Sequence, residues 1–121
     1  MAARFTQRYQ QPEGEPVRRH HDHGLTADTV ARIQGVLARF PAIEKALLYG
    51  SRSRGNHKPG SDIDLTLCGA SLTSEQLALI ASELDDLLLP YTLDLSIFDR
   101  LDHAALRQIM TREGIVFYER R

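Results

Sequence analysis

Hydrophobic residues recur at intervals of three and four along two stretches of the chain, the spacing that lines one side of an α-helix. The first stretch begins after Thr26, which is a suitable N-cap, and ends at Pro41. The second begins at Thr73, where Gln76 has the spacing of a capping box, and stops before Pro90. We therefore predict two amphipathic helices whose apolar sides pack against a sheet.

Strand patterns lie between and after these helices. Residues 42–50 form a short apolar run closed by glycine, which is typical of a buried strand, whereas residues 62–68 and 91–99 alternate polar and apolar side chains. A third helix is predicted from Asp102 to the C-capping Gly114, and the closing IVFYE segment is expected to add a last short strand. This order predicts a small mixed β-sheet flanked by helices, a fold of the α/β or α+β class.

The first 24 residues differ in composition from the rest of the chain. They are rich in Gln, Arg, His, Pro and Gly and have neither helical nor strand periodicity. We interpret residues 1–24 as a loosely structured N-terminal extension and residues 25–121 as one folded domain. A length of 121 residues, of which 42% are hydrophobic and 26% charged, fits a single core and leaves little room for a second.

The charge balance and the single cysteine argue against several classes of function. Lysine and arginine total 15 against 16 acidic residues, so no whole-surface field would hold an extended nucleic acid or an anionic membrane. No apolar run approaches the roughly 18 residues that a membrane-spanning helix needs. One cysteine cannot form an internal disulfide, and the N-terminus has no apolar stretch typical of a signal peptide, so we expect a cytoplasmic protein.

Three aspartates carry the candidate chemistry. Because side chains alternate along a strand, Asp62 and Asp64 are expected on one face of the sheet, opposite the apolar residues. At about 4 Å and an effective dielectric constant near 20, two carboxylates repel by on the order of 4 kcal/mol, which favours a cation between them. Carboxylate oxygens select a hard ion, so we expect Mg²⁺, with Mn²⁺ able to replace it. Asp94, on the polar side of the next strand, is expected to complete the metal site and to take a proton from an attacking hydroxyl.

The stretch GSRSRG, directly after the first predicted strand, is a candidate phosphate-binding turn. Gly50 would let the backbone approach a phosphate closely, and Ser51 could offer a hydroxyl and an amide. Arg52 could contact a phosphate or remain a solvated charge, and Ser61 could orient the metal site or cap the turn before the strand; we include both with Gly50 and Ser51 as candidate nucleotide-binding residues. A Walker A motif is excluded because Asn56 stands where its lysine is required.

GSRSRG, followed by SDIDL and then LDLSIF, resembles the pattern of the minimal nucleotidyltransferases, one-domain relatives of the DNA polymerase beta catalytic fold. That pattern is a Gly-Ser pair, a glycine shortly after it, an Asp-x-Asp pair and a third Asp on a later strand. The matching residues are Gly50, Ser51, Gly55, Asp62, Asp64 and Asp94, and the resemblance covers roughly residues 25–119. It implies that Asp62 and Asp64 hold Mg²⁺, that Asp94 completes the site and activates the acceptor, and that the Gly-Ser pair binds the triphosphate of ATP.

The resemblance also implies a protein partner. Polymerases and antibiotic-modifying relatives carry a further domain that grips the acceptor, so we expect this chain to receive its acceptor in trans. Minimal nucleotidyltransferases are typically paired with a small HEPN protein, and some are antitoxins that transfer AMP to a tyrosine of a HEPN ribonuclease toxin. We therefore expect a protein adenylyltransferase, working in a homo- or hetero-oligomer, that is the antitoxin of such a pair.

The alternative is a catalytically inactive nucleotide-binding module that neutralises or scaffolds a HEPN partner by binding alone. The sequence does not distinguish which nucleotide is used, which residue accepts it, or whether one or two metal ions bind.

Overall fold

The computed structural model describes residues 24–55 and 62–121. Helices and strands in these segments are α1 Ala27–Leu37, β1 Lys45–Tyr49, α2 Ser51–Arg54, β2 Ile63–Cys68, α3 Ser74–Asp85, β3 Leu93–Ile97, α4 Ala104–Glu113 and β4 Ile115–Glu119, with a 3₁₀ turn at Phe98–Arg100. The strands form one sheet in the order β3-β2-β1-β4, in which β1 is antiparallel to both neighbours and β2 is parallel to β3. The predicted mixed sheet with flanking helices is therefore confirmed. No helix within the described segments has both the length and the hydrophobicity needed to span a membrane.

Alternation along β2 gives the sheet an apolar face and a polar face. Ile63, Leu65 and Leu67 are fully buried and belong to the main core. Helices α1 and α3 supply the apolar side chains that cover them: Val30, Ile33, Val36, Leu37, Ile80 and Leu84. Each such side chain contributes about 1.5–3 kcal/mol when it is fully buried. Since the intervening Asp64 and Thr66 point the other way, the core holds β2 from behind and leaves its polar side chains on the opposite face.

Both helices on the apolar face begin at the residues predicted from their capping patterns. The Thr26 hydroxyl accepts a hydrogen bond from the Thr29 amide at 3.1 Å. The Thr73 hydroxyl accepts from the Gln76 amide at 3.1 Å, and the Gln76 side-chain oxygen accepts from the Thr73 amide at 3.1 Å, which completes the capping box. Each cap stabilises its helix by roughly 1 kcal/mol. The predictions of both N-caps are confirmed.

The C-terminal end of α1 differs from the prediction. The helix ends at Leu37 rather than at Pro41. The carbonyls of Ala38 and Phe40 in the turn that follows accept hydrogen bonds from the Arg120 guanidinium at 3.3 and 3.0 Å. Because this distant arginine satisfies carbonyl groups outside the helix, the chain can leave the helical path before the proline forces it to do so.

Helix α4 also begins later than predicted. It begins at Ala104 rather than at Asp102, and its N-cap is His103, whose Nδ1 accepts the amide hydrogen of Leu106 at 3.1 Å. Gly114 is the C-cap, as predicted, but its φ of −69° and ψ of 147° are extended rather than left-handed. A Cβ at Gly114 would lie 2.3 Å from the Met110 carbonyl oxygen, so close approach rather than an unusual φ requires glycine here.

Helix α4 packs against β1 on the side of the sheet opposite the core. Leu47 of β1 is buried but lies outside the main core cluster, and the position of a Cβ on Gly114 would be 3.4 Å from the Leu47 Cβ. Met110 of α4 is also buried. The helix therefore covers the β1 side of the polar face, while Asp94 on β3 is exposed.

Candidate active site

Asp64 and Asp94 lie next to each other on the polar face of the sheet. They are register partners on the parallel strands β2 and β3, and adjacent strands run about 4.8 Å apart. On its other side Asp64 pairs with Tyr49 of β1. Asp64 is half-buried, whereas Asp94 is exposed. The fold thus brings together two of the three predicted acids from separate segments of the chain.

Gly50 lies against the carboxylate of Asp64. Its φ of 83° and ψ of −155° belong to a region that essentially only glycine adopts. A Cβ at this position would also lie 2.6 Å from the Asp64 Oδ2, closer than a Cβ atom normally comes to an atom that is not bonded to it. Two independent constraints therefore require glycine here, and the predicted phosphate-binding turn lies directly against Asp64.

The electrostatic environment of Asp64 opposes its ionisation. Burial raises the pKa of this carboxyl group, and the negative charges of Asp94 and then Asp62 raise it further. The positive charge of Arg52 acts in the opposite direction and offsets part of the effect. A divalent cation next to Asp64 would reverse the unfavourable effect of the neighbouring acids and favour the carboxylate.

The three aspartates match Mg²⁺ in the chemistry of their donor atoms. Asp62 is exposed and directly precedes β2, so together with Asp64 and Asp94 it offers only carboxylate oxygens, the ligands that a hard cation prefers. Across residues 24–55 and 62–121, no three His, Cys, Asp or Glu side chains are already arranged as a metal site. The donor type and the crowding of negative charge at Asp64 fit the ion, and its binding stays a prediction.

Ser51 is the first residue of the short helix α2, and Gly50 is the N-cap. The first amides of a helix point out of its N-terminal end, which here is the end that follows β1. The Ser53 hydroxyl donates to the Gly50 carbonyl at 3.0 Å, and Gly55 ends the helix with a left-handed φ of 78°. The GSRSRG stretch is therefore a glycine bend, one helical turn and a second glycine bend, with Ser51 directly after the glycine that lies against Asp64.

Arg52 points into the protein rather than into solvent. Only 2% of the residue is exposed, and its guanidinium carbon lies 4.9 Å from the centre of the Tyr91 ring. Its Nε donates to the Asp62 carbonyl at 3.3 Å. The interpretation of Arg52 as a solvated charge is therefore wrong, while its contact with phosphate stays a prediction. Ser61, the other predicted nucleotide-binding residue, lies outside the described residues.

Tyr49 is a candidate functional residue that the sequence reasoning missed. It lies on the polar face beside Asp64, and its hydroxyl is hydrogen-bonded to Ser96 of β3. The Ser96 hydroxyl in turn donates to the Thr66 hydroxyl at 2.9 Å. Burial raises the pKa of Tyr49, and the charges of Asp94 and Asp64 raise it further, so the phenol keeps its proton. Strand alternation could have found Ser96, which lies two positions after Asp94 and therefore on the same face.

Comparison with protein families identifies one matching model. It is described as "Polymerase beta, Nucleotidyltransferase", and it matches residues 31–121, which include every predicted site residue. No curated protein matched the chain.

Solved structures with a similar fold include several toxin–antitoxin complexes. A crystal structure of a toxin–antitoxin with AMP-PNP aligns with a TM-score of 0.62 and 21% sequence identity, covering 80% of this chain and 76% of that chain. The toxin–antitoxin MntA-HepT aligns with a TM-score of 0.60 and 20% identity over 78% and 74% of the two chains. The complex of a tri-AMPylated Shewanella oneidensis HEPN toxin with an MNT antitoxin gives 0.58 and 21% over 76% and 71%. At these identities the similarities show a shared fold, which is the predicted one.

Proposed function

Since the chain belongs to the polymerase beta family of nucleotidyltransferases, we propose that it transfers AMP from ATP to a hydroxyl group of a partner protein. Mg²⁺ is the proposed metal ion, a HEPN-family protein is the proposed partner, and neutralisation of a toxin is the proposed role. Family membership supports nucleotidyl transfer in general. The choice of ATP and of a HEPN acceptor is supported by the complexes in which similar folds occur, one with AMP-PNP and one with an AMPylated HEPN toxin.

The pairing of Asp64 with Asp94 beside Gly50 is the observation that carries this proposal. The two carboxylates come from neighbouring strands at one register position, and one of them touches the glycine bend. Metal-assisted nucleotidyl transfer needs oxygen ligands, a base and a close approach of the backbone to phosphate in one place. We assign these three functions to Asp64, Asp94 and Gly50, which lie together in this part of the sheet.

Asp94 is the proposed general base. It would take the proton of the acceptor hydroxyl as the hydroxyl oxygen forms a bond to the α-phosphorus of ATP. The bond from that phosphorus to the bridging oxygen would break, and pyrophosphate would leave with the electron pair. The exposure of Asp94 suits an acceptor that arrives on another protein. When bound by Asp62, Asp64 and Asp94, Mg²⁺ would supply positive charge that offsets the negative charge on the phosphate oxygens.

Asp64 and the Gly50–Ser51 bend have binding roles in this proposal. The half-buried Asp64 would be the central metal ligand, because it lies between Asp94 and the bend. The backbone of Gly50 and the hydroxyl and amide of Ser51 would hold the triphosphate, which orients the α-phosphorus toward the acceptor.

A labelling experiment tests the proposed reaction. The protein would be incubated with Mg²⁺, the product of its neighbouring gene and ATP labelled on the α-phosphate. We expect label on the partner, none with the Asp64→Ala variant and none when the label is on the γ-phosphate instead. The γ-labelled control separates AMP transfer from phosphoryl transfer. Absence of label on any protein, or labelling that Asp64→Ala does not change, would contradict the proposal.

A second experiment distinguishes transfer from neutralisation by contact alone. The Asp62→Asn, Asp64→Asn double variant would be co-expressed with the partner, and cell growth and co-purification would be measured together. We expect the variant to bind the partner but to lose its protective effect. Full protection by the double variant would mean that contact, rather than transfer, is the function.

Replacement of Tyr49 by Phe should slow AMP transfer by a few-fold to about tenfold without unfolding the protein. The change removes the hydroxyl that is hydrogen-bonded to Ser96 but keeps the ring. One hydrogen bond contributes about 0.5–1.5 kcal/mol of stabilisation, which corresponds to this change in rate. Ser96→Ala should have a similar effect on kcat. Tyr118→Phe is the matched control, since Tyr118 is buried in the core on the other face, and it should leave kcat unchanged. A wild-type rate for Tyr49→Phe would show that the hydroxyl has no role.

A further inference from the structure

The buried guanidinium of Arg52 contacts both chain segments that lead to the acidic residues. Its Nε donates to the carbonyl of Asp62, two residues before Asp64, and its guanidinium stacks on Tyr91, which lies just before β3 and Asp94. Arg52 itself belongs to α2, directly after the Gly50–Ser51 bend. We propose that Arg52 is a positioning residue: it holds this bend in a fixed position relative to the first residues of β2 and β3, where the aspartates lie. It is not a phosphate ligand in this proposal, which rests on the proposed function.

The geometry of the guanidinium explains why arginine suits this position. Its planar shape can stack on an aromatic face and donate a hydrogen bond in its own plane at the same time, which a lysine ammonium cannot do. Burying a cation is costly unless it finds partners, and Arg52 has a carbonyl, a ring and the field of Asp64. Three segments that are distant in sequence are therefore connected through one side chain.

The same contacts disfavour direct phosphate binding. With 2% of the residue exposed, the Arg52 head group would have to leave both Tyr91 and the Asp62 carbonyl to reach a nucleotide. Arg54, one position beyond Ser53 in the same helix, is exposed and pairs with Glu113 of α4 at 3.5 Å. The two arginines of the GSRSRG stretch thus have different environments, one internal and one on the surface.

Variants of Arg52 and Tyr91 separate positioning from phosphate binding. Arg52→Lys keeps the charge but removes the planar contacts, and Tyr91→Leu removes the stacking surface without changing the GSRSRG stretch. We expect each to lower kcat for AMP transfer roughly tenfold to a hundredfold while KM for ATP changes less than about twofold. The double variant should be little worse than either single variant, because both break the same contact. Tyr91→Phe keeps the ring and should stay near the wild-type kcat.

Two readouts do not depend on catalysis. Binding of Mn²⁺, followed by electron paramagnetic resonance in the absence of nucleotide, should weaken about tenfold or more in Arg52→Lys. Hydrogen exchange of peptides covering residues 62–68 and 91–97 should accelerate in Arg52→Lys and in Tyr91→Leu, while exchange in α1 stays unchanged. Arg39→Lys is the matched control, because Arg39 is an exposed arginine that pairs with Glu83 of α3, and it should alter neither readout.

The proposal would be overturned if Arg52→Lys raised KM for ATP tenfold or more with unchanged kcat, while Tyr91→Leu changed neither kcat nor KM. Arg52 would then be a phosphate ligand. If the wild-type protein transfers no AMP, the proposed function fails, and hydrogen exchange still decides the positioning role. Unchanged exchange in both peptides would then reject it, whereas faster exchange in both would support it.

Discussion

Replacement of Asp64 by Asn is expected to reduce AMP transfer by about a thousandfold or more while the protein stays folded. Asn preserves the shape of the side chain but removes the charge that lies beside Asp94 and against Gly50. Losing a central metal ligand removes several kcal/mol of stabilisation from the transition state, and each 1.4 kcal/mol is about a factor of ten. The measurement is the rate of partner labelling at saturating ATP, with circular dichroism as the check on folding.

The difference in stability between this variant and the wild type should depend on pH in a defined direction. Burial, Asp94 and Asp62 raise the pKa of Asp64 in the folded protein above its unfolded value of about 3.9. The folded state therefore holds this proton more tightly, and the resulting stability is present below the unfolded pKa and lost as the pH rises through the folded pKa. Asp64→Asn, which has no such proton, should gain stability relative to the wild type as the pH rises from acid to neutral.

Thermal unfolding with and without Mg²⁺ connects the two expectations. Without the ion, the Tm of Asp64→Asn at neutral pH should equal or exceed that of the wild type. With Mg²⁺, the Tm of the wild type should rise, because an ion that binds only the folded state stabilises it, and the Tm of the variant should not. A variant that unfolds well below the wild type at neutral pH, or one that still transfers AMP at the wild-type rate, would contradict this account of Asp64.

The second large effect is expected from Gly50→Ala, which should lower both activity and stability. The backbone at Gly50 has a φ of 83°, and the added Cβ would be 2.6 Å from the Asp64 Oδ2. The backbone strain alone should cost about 1–3 kcal/mol in the free energy of unfolding. Displacement of the Asp64 carboxylate should reduce AMP transfer by roughly a hundredfold, since a 1 Å error in a catalytic site can have that effect.

Gly35→Ala provides a matched control in the same chain. Gly35 lies within α1, and a Cβ there would have no other atom within 4 Å. Since alanine is the better helix former, this variant should be more stable by up to about 1 kcal/mol and fully active. Urea unfolding and the labelling rate would be measured for both glycine variants. If Gly50→Ala behaved like Gly35→Ala, the proposed contact between the bend and Asp64 would not govern the site.

Local patterns in the sequence predicted most of the fold. The N-cap at Thr26 and the capping box of Thr73 and Gln76 are confirmed, because each depends on residues that are three positions apart. The four strands were predicted from apolar runs and alternation, which report burial on one or both faces. The errors lie at helix ends whose positions depend on distant or unexpected side chains. Arg120 donates hydrogen bonds to carbonyls of the turn after α1, and His103 caps α4.

Part of the candidate site could also be predicted from local sequence patterns. Strand alternation assigned Asp64 and Asp94 to a polar face, and Gly50 was predicted to bend the backbone beside a phosphate. The structure places Asp64 and Asp94 opposite each other on neighbouring parallel strands, a register that the sequence did not predict. The inward orientation of Arg52 could not be predicted, because a charged residue in a turn usually stays in solvent, and its burial depends on Tyr91 arriving from another segment.

The sequence by itself determined which side chains share a face and where most elements begin, because a period of two or of three to four residues is a property of the local backbone. Only the tertiary structure decided that β2 lies between β1 and β3, and hence that Asp64 has Tyr49 on one side and Asp94 on the other. That order depends on how the apolar faces of separate segments pack against α1 and α3. No single segment contains that information, since the free energy that selects the arrangement is gained only when the segments meet.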